Sequence, residues 1–452
     1  MTNPVHYVAV IGGAVSGSAT AFQFASRGIK TVIIDQQALP YGKIEDGLPK
    51  WHSKLRDKEE GKIDERLAHP NITYVPSIRL GTDITFEELC SWGFTAIVLA
   101  TGAYNDRPLP VDGIDEFVND GFYYQNPFFI WYNHFHEPGF DGLHHDIVDD
   151  AIVVGGGLAS LDVVKALMIE SVQKKLKEKG HDVDMFTLDR SIVKVLDGLG
   201  YTLSDLGLKG CRLFYRRRII DMPVTPMATE TPEQLEKAQG IREKLLNNFT
   251  TKYLFRFYDC HMPVNKIVRD GKLSGLVFQK TEVIDGKAVP VEGTEHEVEG
   301  PLIISSIGSI PELLEGVPSQ WQMFKISDMN TCRIEGYDNV FAVGNAVTGQ
   351  GNIKESFKHG NELSARIMDD SLGWTEERFE AYSEITASGV ADQAAEIAGK
   401  FSDSNLLSVE KVEELDGKIK ELQQRSGYKG DYSTWRDENI PVRLEDMLEI
   451  EH

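Results

Sequence analysis

Short apolar runs closed by glycine or by a polar residue set the hydrophobic pattern of the chain. Val8-Ala9-Val10-Ile11, Thr31-Val32-Ile33-Ile34, Ala96-Ile97-Val98-Leu99-Ala100 and Ala151-Ile152-Val153-Val154 are nearly continuous, so they predict strands buried on both faces. After the first run a helix-like stretch reaches Arg27. After the fourth, Leu161, Val164, Leu167, Met168 and Val172 recur at helical spacing. Strands alternating with helices predict an α/β fold. Beyond Gly373 the pattern is helical only: residues 375–400 and 409–424 read as amphipathic helices, the second with Val409, Val412, Leu415, Ile419 and Leu422 on one stripe. Such helices are a packed appendage or an oligomer contact. The tail from Tyr428 to Trp435 carries no readable motif and could dock on the first domain or on a partner.

The first strand runs into Gly12-Gly13-Ala14-Val15-Ser16-Gly17, and the second ends in Asp35, 23 residues after Gly12. Strand, tight turn, helix, strand and acid is the order of a Rossmann unit, in which Gly12 permits the sharp turn and Gly17 lets helix and strand approach. The helix N-terminus presents unpaired N–H groups to a pyrophosphate, and Asp35 is placed to bond a ribose hydroxyl. Ala14 departs from the pattern, adding a methyl group where backbone and phosphate come closest. Ser16 lies in the same turn.

The pattern repeats. Ala151-Ile152-Val153-Val154 leads into Gly155-Gly156-Gly157-Leu158-Ala159-Ser160, an intact G-x-G with small Ser160 in the third position. An insertion over residues 185–209 delays the next strand to 211–215, which closes in Arg216-Arg217-Arg218. Guanidinium groups where the first unit has an acid suit a 2′-phosphate, so Arg216 and Arg217 favour NADPH over NADH. A solvated charge run is the plain alternative.

Two further motifs join these halves. Thr101-Gly102 closes the strand 96–100 in the turn with which a chain often leaves an FAD domain, and Asn339-Val340-Phe341-Ala342-Val343-Gly344-Asn345 has the form of the strand whose last polar residue meets the ribityl chain. Gly344 and Asn345 are the candidates there; aspartate is usual, but the Asn345 side-chain oxygen also accepts a hydroxyl bond. The expected organisation is therefore α/β with two Rossmann-like dinucleotide-binding domains. Residues 1–120 and 325–373 form the FAD domain, 121–147 a linker, 148–324 an inserted NAD(P)H domain, and 374–452 a helical C-terminal extension.

These motifs resemble the adrenodoxin reductase-like branch of ferredoxin–NADP⁺ reductases and, more distantly, the glutamate synthase small subunit. The resemblance covers residues 5–370. It rests on Gly47 followed five residues later by His52, on Trp131-Tyr132-Asn133, on Gly155 to Asp162 as G-x-G-x-x-A-L-D, on Arg216 and Arg217, on Ser305-Ser306-Ile307-Gly308, and on Gly349-Gln350-Gly351-Asn352-Ile353. It implies FAD and NADPH as cofactors and His52 as an active-site group that orders water or relays a proton. It also implies a turn at Gly351, Asn352 and Ile353 that directs N–H groups at the flavin ring. The tryptophan usual after the glycine of the ribityl strand is replaced by Asn345-Ala346.

Composition limits the partners. The 452 residues carry 70 acidic against 47 basic side chains, a formal charge of −23, so nucleic acid and anionic membrane surfaces are disfavoured. No apolar run is long enough to span a bilayer, and a cytoplasmic location is expected. The four cysteines, Cys90, Cys211, Cys260 and Cys332, include no C-x-x-C pair, so no local dithiol is expected and electrons must come from a bound cofactor. His134, His136, His144 and His145 cluster in the linker without metal-ligand spacing, and no metal is expected. The expected activity moves electrons between NADPH and a one-electron protein acceptor such as ferredoxin, for which Arg190, Lys194, Lys209, Arg212 and Arg216 to Arg218 could form a basic docking patch. Two alternatives stay open: an electron-input subunit of a larger complex, as in glutamate synthase, and a flavin-binding redox sensor without turnover.

Overall fold

The apolar runs become the central strands of two parallel sheets. A computed structural model describes residues 5–224, 231–328, 330–347, 376–402 and 406–450. In the first sheet, Tyr7–Ile11 lies between Lys30–Ile34 and Ala96–Leu99, in parallel on both sides. Ile72–Val75 extends one edge. On the other edge Val340–Ala342 pairs in parallel with Ala96–Leu99, followed by the antiparallel strands Arg333–Ile334 and Ile326–Asp328. Late residues thus complete a sheet begun at the N-terminus.

The second sheet has the order Phe122–Tyr124, Ile303–Ser306, Ile152–Gly155, Arg212–Phe214 and Arg256–Tyr258, all parallel. Residues 121–147 are therefore more than a connector, because they supply this edge strand and the helix Gln125–His134. Between Arg256–Tyr258 and Ile303–Ser306 the chain makes an antiparallel excursion, His261–Arg269, Lys272–Ile284, Lys287–Pro290 and His296–Glu299, which the repeated βαβ pattern does not announce. The two passages between the sheets pair with each other at Asn105–Asp106 and Ser309–Ile310.

The C-terminal helices are layers of the first sheet. Side chains alternate across a strand, and the first strand uses both faces. Val8 and Val10 join a core with Val390, Ala394, Ile397 and Phe401 of the helix Glu376–Ser402. Tyr7, Ala9 and Ile11 join another with Val412, Leu415, Ile419 and Leu422 of the helix Val409–Ser426. The stripe considered above as an oligomer contact is thus consumed within the chain. Tyr428, Tyr432 and Trp435 pack on Tyr74 and on the segment after the second strand, where the Trp435 indole N–H donates to the Ala38 carbonyl at 2.8 Å. No helix among the described residues is long and apolar enough to cross a membrane.

Candidate functional site

The first glycine turn is built so that side chains are excluded. Gly12 has φ +94°, and a Cβ on it would lie 2.6 Å from the Ala100 carbonyl oxygen; one on Gly17 would lie 1.8 Å from the Gly12 carbonyl oxygen. Strand, helix and the turn at Thr101-Gly102 therefore meet through bare backbone, as the sequence predicts. The extra methyl of Ala14 is accommodated by Gly42, where a Cβ would come within 2.8 Å of it. The helix Val15–Ala25 has no side-chain cap, which leaves its first N–H groups for a ligand. Asp35 is buried, and its carboxylate accepts from the backbone N–H of Gly13 at 2.6 Å and of Gln37 at 2.8 Å. Burial raises it to about 6 against the pull of those two bonds.

Gly344 brings the far end of the chain to this turn. It has φ +63°, and a Cβ there would lie 2.1 Å from Ser16 Oγ. Asn345, one residue on, lines the same cavity as Gly12, Ala14, Ser16, Asp35 and Thr101. That cavity, of about 630 Å³, continues past Lys43 and Gln125 to Leu158, Ala159 and Asp162 at the start of the second dinucleotide helix. It is large enough for a drug-sized or cofactor-sized ligand. Thr101 and Asp162 line it, and Thr101 Oγ1 and Asp162 Oδ1 are buried with no hydrogen-bond partner among the described residues, whereas buried polar atoms are ordinarily satisfied. The uncapped helix end and the close glycine packing fit an FAD molecule lying along this wall.

Lys43 and Asp162 are wall residues that the sequence did not single out as site residues. Lys43 Nζ donates to Asn126 Oδ1 at 2.9 Å and Ser309 Oγ at 3.0 Å, spanning from the first unit to the paired passages. Burial lowers it to about 8, with Asp106 and Asp46 opposing. Burial raises Asp162 to about 7, opposed by Lys165 and assisted by Asp189. The only sequence signal for Asp162 is its place in the second glycine motif; for Lys43 there is none.

His52 stands behind the wall. Gly47, Leu48 and Pro49 line the cavity, whereas His52 is buried beside Trp51 and outside the lining. Burial, with Lys165 adding to it, pushes its imidazole down to about 3, so the ring is neutral at ordinary pH. Lys165 itself is buried over the Trp51 ring and ion-paired with Asp189.

The second turn repeats the first with one change of register. A Cβ on Gly155 would lie 2.3 Å from the Ser306 carbonyl oxygen, as one on Gly12 meets Ala100. Gly157 faces open space at the uncapped start of Leu158–Glu178, and Ser160 Oγ donates to the Gly157 carbonyl at 2.6 Å. The strand ends at Phe214, so the residue following it, in the place of Asp35, is Tyr215 and not Arg216. Arg216 is exposed, with no side-chain hydrogen bond or ion pair among the described residues. Arg217 Nε donates to the Tyr215 hydroxyl at 3.0 Å, and Arg218 is paired with Asp221 at 2.8 Å. Arg212 leaves the expected basic patch altogether: it is buried, and Nη2 donates to the carbonyls of Asp150 at 2.8 Å and Glu299 at 2.6 Å.

The linker histidines go separate ways. His136 Nε2 bonds the Val442 carbonyl at 3.0 Å, and His145 packs on Tyr123 and Trp131. His134 converges with Glu45 and Glu137, whose ligand atoms lie within 4.8 Å of one another, but Arg443 already occupies both oxygens of Glu45 at 2.6 Å. All four cysteines are free thiols. Gly351, Asn352 and Ile353 lie outside the described residues.

With this geometry, the chain can be set beside known proteins. It is 23% identical over 378 residues to the glutamate synthase [NADPH] small chain of Mycobacterium tuberculosis, covering 80% of this chain and 66% of that one. It is 25% identical over 336 residues to the mitochondrial NADPH:adrenodoxin oxidoreductase of Drosophila melanogaster, covering 68% and 66%. Among solved structures, Mycobacterium tuberculosis FprA in complex with NADPH superposes with a TM-score of 0.65 over 93% of this chain and 91% of that one, at 17% identity. The chain has the FprA fold. It spans just under two thirds of the length of the two curated relatives, and both carry names expected from the motif resemblance. No protein-family model matches it.

Proposed function

We propose that the protein is an FAD-dependent oxidoreductase that takes hydride from NADPH and passes electrons singly to a small iron–sulfur protein. The observation that carries this reading is the continuity of one cavity from the first glycine turn to the N-terminus of the second dinucleotide helix, because hydride transfer requires two cofactors in contact. FAD supplies the exchange between two-electron and one-electron chemistry. The chain's contribution is position. Gly12, Ala14, Ser16 and Gly17 hold the pyrophosphate on backbone N–H groups, Asp35 the ribose, and Thr101, Gly102, Gly344 and Asn345 the middle of the molecule. The turn at Gly351, Asn352 and Ile353 belongs to this reading on sequence grounds. Gly155, Gly157, Leu158 and Ser160 receive the second pyrophosphate, with Arg216 and Arg217 at its 2′-phosphate. His52, neutral and behind Leu48 and Pro49, acts as a positioning residue for that wall. The FAD domain is assigned to residues 1–120 and 325–373 and the NAD(P)H domain to 148–324, to whose sheet residues 121–147 add the edge strand Phe122–Tyr124.

A second reading differs only in the acceptor: an electron-input subunit whose acceptor sits on a partner chain. It is favoured by the glutamate synthase small chain, whose match extends over 80% of this sequence. An anaerobic NADPH titration of the purified protein, followed by addition of candidate acceptors, tests both. Bleaching of the flavin absorbance by one equivalent of NADPH is expected. Reoxidation by a ferredoxin-type protein supports the first reading, and flavin that NADPH cannot bleach rejects both.

A further inference from the structure

The two dinucleotide units can be compared position by position, since Ile11 pairs with Ile34 in one sheet and Val154 with Phe214 in the other. The residue after the second strand is then Asp35 in the first unit and Tyr215 in the second. Both close on the residue after the first glycine of their turn. Asp35 accepts the Gly13 N–H, and the Tyr215 ring covers Gly156 so closely that a Cβ there would lie 2.1 Å from Tyr215 Cδ2.

We propose that Tyr215 sets the nucleotide specificity of the second site, replacing the ribose-binding acid with an aromatic wall whose hydroxyl holds Arg217 ready for the 2′-phosphate of an adenosine nucleotide. The inference rests on the NADPH reading above. Its chemistry is a matter of donors and acceptors. A carboxylate at this position would accept from a ribose diol and repel a phosphate dianion, whereas a phenol carries no charge at neutral pH. The Tyr215 hydroxyl donates to the Asp221 carbonyl at 2.8 Å, which orients its lone pair to accept Arg217 Nε at 3.0 Å. The guanidinium carbon lies 5.8 Å from the ring centroid. Arg217 Nη1 reaches the Gly286 carbonyl only at 3.4 Å, so the fork is fixed at its base and open at its tip. Pre-fixing a rotamer-rich side chain lowers the cost of binding, and a planar guanidinium can then grip phosphate in two bonds. Arg218 is drawn off by Asp221, and Arg216 supplies a second, freely placed cation.

Calorimetric titration of the flavin-loaded protein with 2′,5′-ADP and with 5′-ADP tests this without turnover. The unaltered protein should prefer 2′,5′-ADP by at least about tenfold, the worth of one charge-assisted hydrogen bond. Tyr215→Phe and Arg217→Lys should each lose most of that preference while 5′-ADP binding stays unchanged. The double variant should lose no more than the worse single one, because the two residues act as a unit. Tyr215→Asp should reverse the preference. A Tyr215→Phe protein with full preference, or single losses that simply add, overturns the assignment. Equal binding of both ligands by the unaltered protein instead removes the NADPH reading beneath it.

Discussion

Arg443 Nη1 lies 2.6 Å from both carboxylate oxygens of Glu45, across 398 positions of sequence, and Nη2 reaches Glu60 at 2.9 Å. Two residues on, Glu445 pairs with the buried Arg56. Burial pushes the Glu60 carboxyl up against the pull of Arg443, and Glu45 adds to the rise; Glu45, despite its own burial, is drawn down by Arg443. Together with Trp435 on Ala38 and Tyr432 on Asp64, these contacts strap the tail over residues 38–64. That segment supplies the cavity wall from Tyr41 to Pro49.

Arg443→Ala should therefore weaken the wall as well as the fold. Removing one partner from a buried ionic cluster costs about 3–5 kcal/mol. The expected result is a lower melting temperature and faster FAD release on dilution. Arg443→Lys should recover little, since an ammonium cannot span both carboxylates. Unchanged flavin release in a destabilised Arg443→Ala protein would separate the strap from the site.

Gly17 gives a sharper test of the flavin assignment. A Cβ 1.8 Å from the Gly12 carbonyl oxygen meets backbone, not a movable side chain, so Gly17→Ala must push the helix Val15–Ala25 off the first strand. The purified protein should be yellow with one FAD per chain, and the variant colourless yet folded, as read by absorbance at the flavin band and by far-ultraviolet circular dichroism. A variant that keeps its FAD would place the flavin elsewhere.

Features that depend on one tight local contact were legible in the sequence. Gly12, Gly17, Asp35 and Gly155 are required by the turn itself, whatever packs around it. The stripe Val412, Leu415, Ile419 and Leu422 announced a buried face but not its partner, because periodicity states that a surface needs covering and not by what. Tyr215 was misplaced by one residue for a related reason: the apolar run 211–215 continues through it, and only the pairing of Val154 with Phe214 shows where the strand stops. Lys43 carries no local signature, and Asp162 only its place in the second glycine motif. Their significance arises from burial on a cavity wall assembled from both units.

Burial raises Cys90 and Cys332 to about 11 and pushes Cys211 higher still, so these thiols stay protonated at neutral pH and are poor nucleophiles. A protein with all four changed to alanine or serine, provided circular dichroism shows it folded, should keep NADPH-driven reduction of a one-electron dye at close to the original rate. Loss of flavin reoxidation with NADPH reduction intact would reveal a thiol relay.

Asp162 is buried on the cavity wall, one of its oxygens is unpartnered, and burial, despite Lys165, raises it from 3.8 to about 7. A carboxyl with a raised folded value favours the folded state while it is protonated in both states, below 3.8, and that contribution is lost as pH climbs through 7. One unit corresponds to about 1.4 kcal/mol, so ionising Asp162 costs the ligand-free protein up to about 4 kcal/mol by pH 8. His52 runs the other way: burial holds it near 3 against an ordinary 6.5, so its contribution is present above 6.5 and falls away in acid. Asp162→Asn removes only the first effect. The apoprotein variant should melt higher than the parent at pH 8, by several degrees at about 2–4 °C per kcal/mol, and the two should converge toward pH 4, where His52 destabilises both alike. Melting curves of both proteins from pH 4 to 8 decide the matter. A constant offset at every pH would mean that the asparagine acts through packing and that Asp162 is ionised throughout.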